Sequence, residues 1–275
     1  MFRKSNYVTA LGSLFVLLML AGAAFAIEAP SAEFLRAALV DQLQGASIEV
    51  SYDYGFDGKP ETVTRFRYLR TQQIQYLSAT MEGQPAFAWF DRTVRTLRLC
   101  GTDQGVRKGL ITDSKRSTPL SFASVPDPVL YNLPAGELID LIGGGTVSPN
   151  RENIDGHECW RVDIVPGNES YKTHTYTVWI DPNVGFCPRL VEERREGVVF
   201  LRVSFSDYTN IGSRIWFPMH IRWVTKTPGS EDSVSVAKAL TARVIPESAS
   251  QMLDTSFPSG TEVQDRILDA EYVVP

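Results

Sequence analysis

Few residues of this 275-residue chain have wide chemical scope: His157, His174 and His220, with Cys100, Cys159 and Cys187. The tightest grouping is His157-Glu158-Cys159. On a strand, His157 and Cys159 share one face and Glu158 points to the other, so the three do not converge. No histidine has a second ligand type at metal-binding spacing. There is no G-x-S-x-G elbow, no H-E-x-x-H pair and no glycine-rich phosphate loop. The run Gly143–Gly145 follows a helical pattern, whereas a phosphate loop precedes one. Glu192-Glu193 and Glu231-Asp232 read as solvated faces, since a glycosidase needs its carboxylates held across a cleft. Asn168-Glu169-Ser170 fits a glycosylation acceptor, a pattern common by chance. The sequence therefore points away from an enzyme and calls for no metal and no cofactor.

Binding is the chemistry left, and apolar side chains would do it. Phe66, Tyr68, Trp89, Trp160, Tyr176, Phe205, Phe217 and Trp223 occupy alternating positions of strand-like runs. In a closed small barrel such residues fill the inside, and in an unclosed one they line a cavity for a hydrophobic chain. Both outcomes are compatible with the pattern.

The elements that must position them are legible from period-2 alternation. Tyr176, Val178 and Ile180 alternate with Thr175, Thr177 and Trp179, and Asp181-Pro182-Asn183 ends that run. A run from Arg189 to Arg195 stops at Glu196-Gly197. Val199 to Phe205 and Ile215 to Trp223 alternate again around Asn210-Ile211-Gly212. Short connections force antiparallel neighbours, so this stretch is a meander with one apolar face. Upstream, Ile48–Tyr54, Thr62–Arg70, Gln73–Thr80, Ala86–Asp91, Val94–Cys100 and Val106–Thr112 read as further strands, and Phe66 and Tyr68 face away from Arg65 and Arg67. Ser31 to Gln44 reads as a helix capped by Ser31, with Phe34, Leu35, Ala38, Leu39 and Leu43 on one stripe. Ser233 to Val244 is the last long strand, and the tail after Pro246 reads as a loop ending in a short run, Glu271 to Val274.

The first residues, Met1-Phe2-Arg3-Lys4, precede an apolar run to Ala24 and an Ala24-Phe25-Ala26 exit, the pattern of a cleavable secretory signal peptide. Cleavage after Ala26 removes Arg3 and Lys4 and no acid, taking the net charge from −5 to −7. That charge argues against nucleic acid and against docking on an anionic membrane. No transmembrane span is expected after cleavage. Residues 27–275 show no low-complexity linker or repeat and are read as a single β domain. In an oxidising compartment, Cys159 and Cys187 start two strands around the Tyr171–Ile180 run and are expected to pair. A bridge closing about 28 residues would contribute roughly 3–4 kcal/mol in the loop-entropy model. The alternative is three buried thiols.

The segment Tyr176–Gly197, then Phe205–Pro218, and the closing Phe257–Val274 resemble the LolA/LolB-like superfamily of bacterial envelope proteins. The resemblance implies a mainly β fold: an antiparallel unclosed β-barrel or half-barrel, with a few short helices over its open side. On that model the apolar runs Val129–Leu133 and Glu137–Ile142 are two short helices acting as lid or as plug, with Leu130, Leu133, Leu138 and Leu141 as the lid residues. It further implies an exported, periplasmic protein that binds lipid or lipoprotein acyl chains in the hydrophobic half-barrel, as carrier or sensor. The rival implied by the same resemblance is an RseB-like regulatory module that binds an envelope protein partner and no small ligand.

Overall fold

The computed structural model describes residues 28–275 except 45, 82, 114–126, 213, 249–252 and 254. The signal peptide expected over residues 1–26 lies outside them. Helix α1 spans Ala32–Gln44 and buries Leu35, Leu39 and Leu43. The Ser31 hydroxyl accepts the Phe34 N–H at 3.1 Å, the cap that the sequence predicts.

Six antiparallel strands follow: β1 (Ser47–Phe56), β2 (Thr64–Arg70), β3 (Ile74–Met81), β4 (Gln84–Asp91), β5 (Thr96–Asp103) and β6 (Val106–Asp113). A two-stranded clip, β7 (Asn132–Leu133) and β8 (Gly136–Glu137), leads into the one-turn helix α2 (Leu138–Ile142). The second expected helix is thus present and stops at Gly143. The first, over Val129–Leu133, is instead bends and clip, because Pro134 restricts the residue before it to extended backbone.

The remaining strands are β9 (Thr146–Ile154), β10 (His157–Ile164), β11 (His174–Asp181), β12 (Cys187–Arg195), β13 (Val198–Gly212), β14 (Ile215–Thr225) and β15 (Ser233–Ile245). The tail is more than a loop: it forms a hairpin of β16 (Glu262–Asp265) and β17 (Ala270–Val273). Gln104-Gly105, Asp155-Gly156 and Glu196-Gly197 place two successive residues at positive φ. That backbone matches the twist of flanking strands in two-residue hairpins.

All long strands join one 15-stranded sheet in the order β17-β16-β6-β5-β4-β3-β2-β1-β15-β14-β13-β12-β11-β10-β9. Every pairing is antiparallel except β16 with β6. Register shifts in β1, β10, β12 and β13 supply the local bends that curl a sheet. The first and last strands in the order, β17 and β9, do not meet, so the expected unclosed half-barrel is the observed architecture.

Candidate functional site on the concave face

The inner face is set by strand parity. Val50, Tyr68, Leu77, Ala88 and Leu99 lie side by side across β1 to β5, and Tyr176, Val178, Phe205, Phe217, Ile221 and Trp223 continue the same core through β11 to β14. Helix α1 and residues 127–142 cover this part. Tyr131 meets Phe205 edge-on at 5.8 Å, and Tyr54 meets Trp223 at the same separation.

Of the eight aromatic residues predicted to line a cavity, Tyr68, Tyr176, Phe205, Phe217 and Trp223 are buried in this filled core, and Phe66 packs against it half-buried. Leu130, Leu133 and Leu138 are buried there too, with Leu141 partly so. Trp160 is buried near the N-terminal turn of α1. There it lines a shallow pocket of about 390 Å³ with Phe34, Phe186, Pro30, Pro182 and Arg151, whose guanidinium lies 4.7 Å from the Trp160 ring. Trp89 belongs to the other face. It sits opposite Tyr76 and Arg98, while its neighbour Phe90 takes the core position opposite Leu97. Ala86–Phe90 is apolar at every position, so period-2 reading had no polar residue with which to tell its faces apart.

A buried ion pair fastens the covering segment to the sheet. Arg70, at the end of β2, is 1% exposed. Its Nη1 donates to both Asp127 carboxylate oxygens at 3.0 Å, and its Nη2 donates to the Gln42 carbonyl of α1 at 3.1 Å. Asp127 also accepts the Tyr68 hydroxyl at 2.9 Å and the N–H groups of Val129 and Leu130. Burial, followed by the Asp127 charge, pushes the Tyr68 phenol up. One residue set therefore clamps β2, α1 and the 127–133 segment together. Only Arg70 Nε in the cluster lacks a partner. Parity could have found this clamp, since Arg70 falls on the Phe66–Tyr68 face, where a charge needs an inward partner. Gln42 is a second missed anchor: its Nε2 donates to the Arg214 carbonyl and its Oε1 accepts the Trp216 N–H, both at 3.0 Å.

Beyond the clamp the inner face continues without a described cover. Leu99 lies opposite Leu110, Gly101 opposite Lys108, Leu110 beside Gln264, and Glu262 opposite Val273. These residues form an open groove of about 710 Å³. Its floor is Leu99, Leu110 and Val273; its polar groups are Asp103, the Lys108–Glu262 ion pair, and Gln264 donating to Glu271 at 3.2 Å. None of these was singled out in the sequence, because β16 reaches β6 across some 150 residues of chain, a pairing no local pattern announces.

The predicted Cys159–Cys187 bridge does not form. All three cysteines are free and buried. Trp160 pairs with Ile180, and Asp181 pairs with Cys187, so β11 separates the two sulfurs by a whole strand. Two strand spacings amount to about 10 Å, beyond the reach of a disulfide. Burial pushes both thiols up to about 12. Each histidine faces one carboxylate: His157 is 3.5 Å from Asp181, His174 3.0 Å from Glu193 and His220 3.5 Å from Asp207. Among the described residues no group of three or more His, Cys, Asp or Glu is placed to hold a metal, and no helix is long and apolar enough to cross a membrane.

No family model and no curated protein sequence matches the chain. Solved structures do. A LolA superfamily protein from Nitrosomonas europaea superposes with a TM-score of 0.52 at 12% identity, covering 82% of this chain and 99% of its own. A DUF1329 family protein from Desulfovibrio piger gives 0.55 at 14% identity, covering 79% and 94%. The fold is that of the LolA superfamily, as the Tyr176–Gly197 and Phe257–Val274 segments imply.

Proposed function

We propose that the chain is an exported, periplasmic binding protein, a single β domain over residues 27–275, that holds an apolar chain against its concave face. The ligand class is the acyl chain of a lipid or lipoprotein, carried or sensed without catalysis. The observation that carries this reading is the continuation of the core's inner face into a groove that no described residue covers, floored by Leu99, Leu110 and Val273. Each methylene buried there contributes about 0.8 kcal/mol, so a partly inserted chain binds without any charged contact. The Arg70–Asp127 clamp gives the groove a means of extension. Releasing it frees residues 127–142 and opens the face under Tyr68, Phe205 and Trp223 to a longer chain.

Native mass spectrometry of residues 27–275 from an exporting host tests the reading. Adduct mass leaving as fatty acid or phospholipid is expected, and Leu110→Arg should remove it while the fold survives. An apo mass that stays clean on adding acyl ligand would sink it. A second reading, an RseB-like module that binds an envelope protein and no lipid, is favoured by one observation: five of the eight aromatic residues expected in a cavity are already packed in a filled core. It predicts that clean spectrum together with capture of a protein partner.

A further inference from the structure

An unclosed sheet has two free edges, and this one treats them differently. At β9 the edge carries Pro149 mid-strand, and the register slips between Trp160 and Val162 beside it. Proline and bulges are the usual means of stopping a further strand from adding. At β17 neither device is present: Ala270–Val273 contains no proline or lysine and pairs with β16 in unbroken register.

The chemistry of that second edge follows from its hydrogen bonds. The Val274 N–H donates to the Thr261 carbonyl at 2.9 Å, and the Val274 carbonyl accepts the Gly260 N–H at 2.8 Å. Alternation then turns the N–H and C=O groups of Val273 and Glu271 outward, where the sheet has no further strand among the described residues. The side chains of Glu271 and Val273 share the groove face, through Gln264 and Glu262 respectively. Val273 is 61% exposed, and Tyr272, Ile267 and Leu268 on the same hairpin are exposed as well. The groove rim is rich in acid: Asp103, Glu262 and Glu271 lie with Lys108, which Glu262 binds, and Arg266 approaches from the hairpin turn by donating to Gln264 at 3.1 Å. The Glu262 bond, with Asp103 and Glu271 adding their charges, holds the Lys108 amine up, so the three acids act on one spot.

We propose that β17 accepts an added strand from an extended segment of another protein. That segment carries a lysine or arginine and an aliphatic residue two positions apart. Backbone pairing supplies the docking, and period 2 sets basic and aliphatic side chains over Glu271 and Val273 together. A second copy of this chain is a poorer occupant, because edge-to-edge pairing would bring two acidic rims together. The inference does not depend on the acyl reading, and its test contains no lipid.

A fluorescent threonine peptide of about seven residues, with arginine and valine two positions apart, would be titrated into residues 27–275 at low salt and followed by anisotropy. Binding is expected. Replacing the arginine by glutamate, or N-methylating the edge-facing amides, should each weaken it about tenfold. Glu271→Lys should reverse the preference between arginine and glutamate peptides. Val273→Pro should abolish binding with little change in melting temperature, since the Val273 N–H serves no ladder bond. The proposal is overturned if the parent peptide does not bind, if the N-methylated peptide binds equally, or if Glu271→Lys leaves the preference unchanged. Sedimentation showing a dimer that Val273→Pro dissolves would assign the edge to a second copy and overturn it too.

Discussion

The two arms of the sheet use the same strands to opposite ends. Through β10 to β14 the inner face is the apolar one, carrying Val162, Val178, Val203, Phe205 and Ile221. Its outer face is laced with ion pairs: Arg161 with Glu152 and Asp163, and Arg194 and Arg202 with Glu192. Past the buried inner pair Leu97 and Thr112, along the 99–103 and 106–110 ends of β5 and β6 and in β16, the sidedness inverts. Inner positions hold Leu99, Gly101, Lys108 and Gln264, while the outer face buries Cys100 and Val263. There Phe257 stacks on Phe87 at 5.9 Å and lies over Gly109. The lesson is that sheet curvature does not choose the apolar side; each arm keeps one face dry, and where that face is the outer one no described residue covers the inner one.

Experiments that perturb one arm at a time test this division. The largest effect is expected from Asp127→Ala, which strands the Arg70 charge in the closed arm and should cost about 3–5 kcal/mol in urea unfolding. Phe205→Ala should cost a similar about 3–5 kcal/mol through the cavity it leaves. If either change proved neutral, the closed arm would not be the filled core described. Next comes Gly109→Ala on the outer face of the open arm. A Cβ there would meet the Phe257 ring at 2.8 Å, so about 1–3 kcal/mol is expected from overpacking, and Phe257→Ala in the same chain should recover part of it.

Alkali probes the closed arm without mutation. In the unfolded chain the thiols titrate near about 8.5, whereas burial holds Cys159 and Cys187 protonated up to about 12. The folded state then retains protons that the unfolded state has lost. Their stabilising contribution is therefore complete below the unfolded value and falls as pH rises from there towards 12. Urea midpoints should drop across that window, and Ellman's reagent should find three reactive thiols only after unfolding. The smallest stability change is expected from Leu110→Arg, within about 0.5 kcal/mol because the site is open. A large loss there would show that the groove is core.

How much could be read beforehand follows the same division. Where polar and apolar residues alternate, as in β11, β13 and β14, strand, face and turn were all legible. Where alternation fails, as in Ala86–Phe90, the strand was legible but the face of Trp89 was not. The Cys159–Cys187 pairing asked residues on strands flanking β11 to touch, although consecutive antiparallel connections set such strands two apart. Arg70 carried its signal in its parity. The groove carried none, because half of it comes from β16 and β17, which local pattern presents as a loose tail.

The parallel pairing of β16 with β6 has a kinetic consequence. The meanders β1–β6 and β9–β15 each form from neighbours in sequence, but β6 finds its outer partner only when Glu262–Asp265 arrives. Closing so long a loop is slow compared with zipping a hairpin. A chain that emerges amino-terminus first therefore presents the outer edge of β6 unpaired until Glu262–Asp265 is through, and the β16–β17 hairpin acts as a late stitch of the sheet.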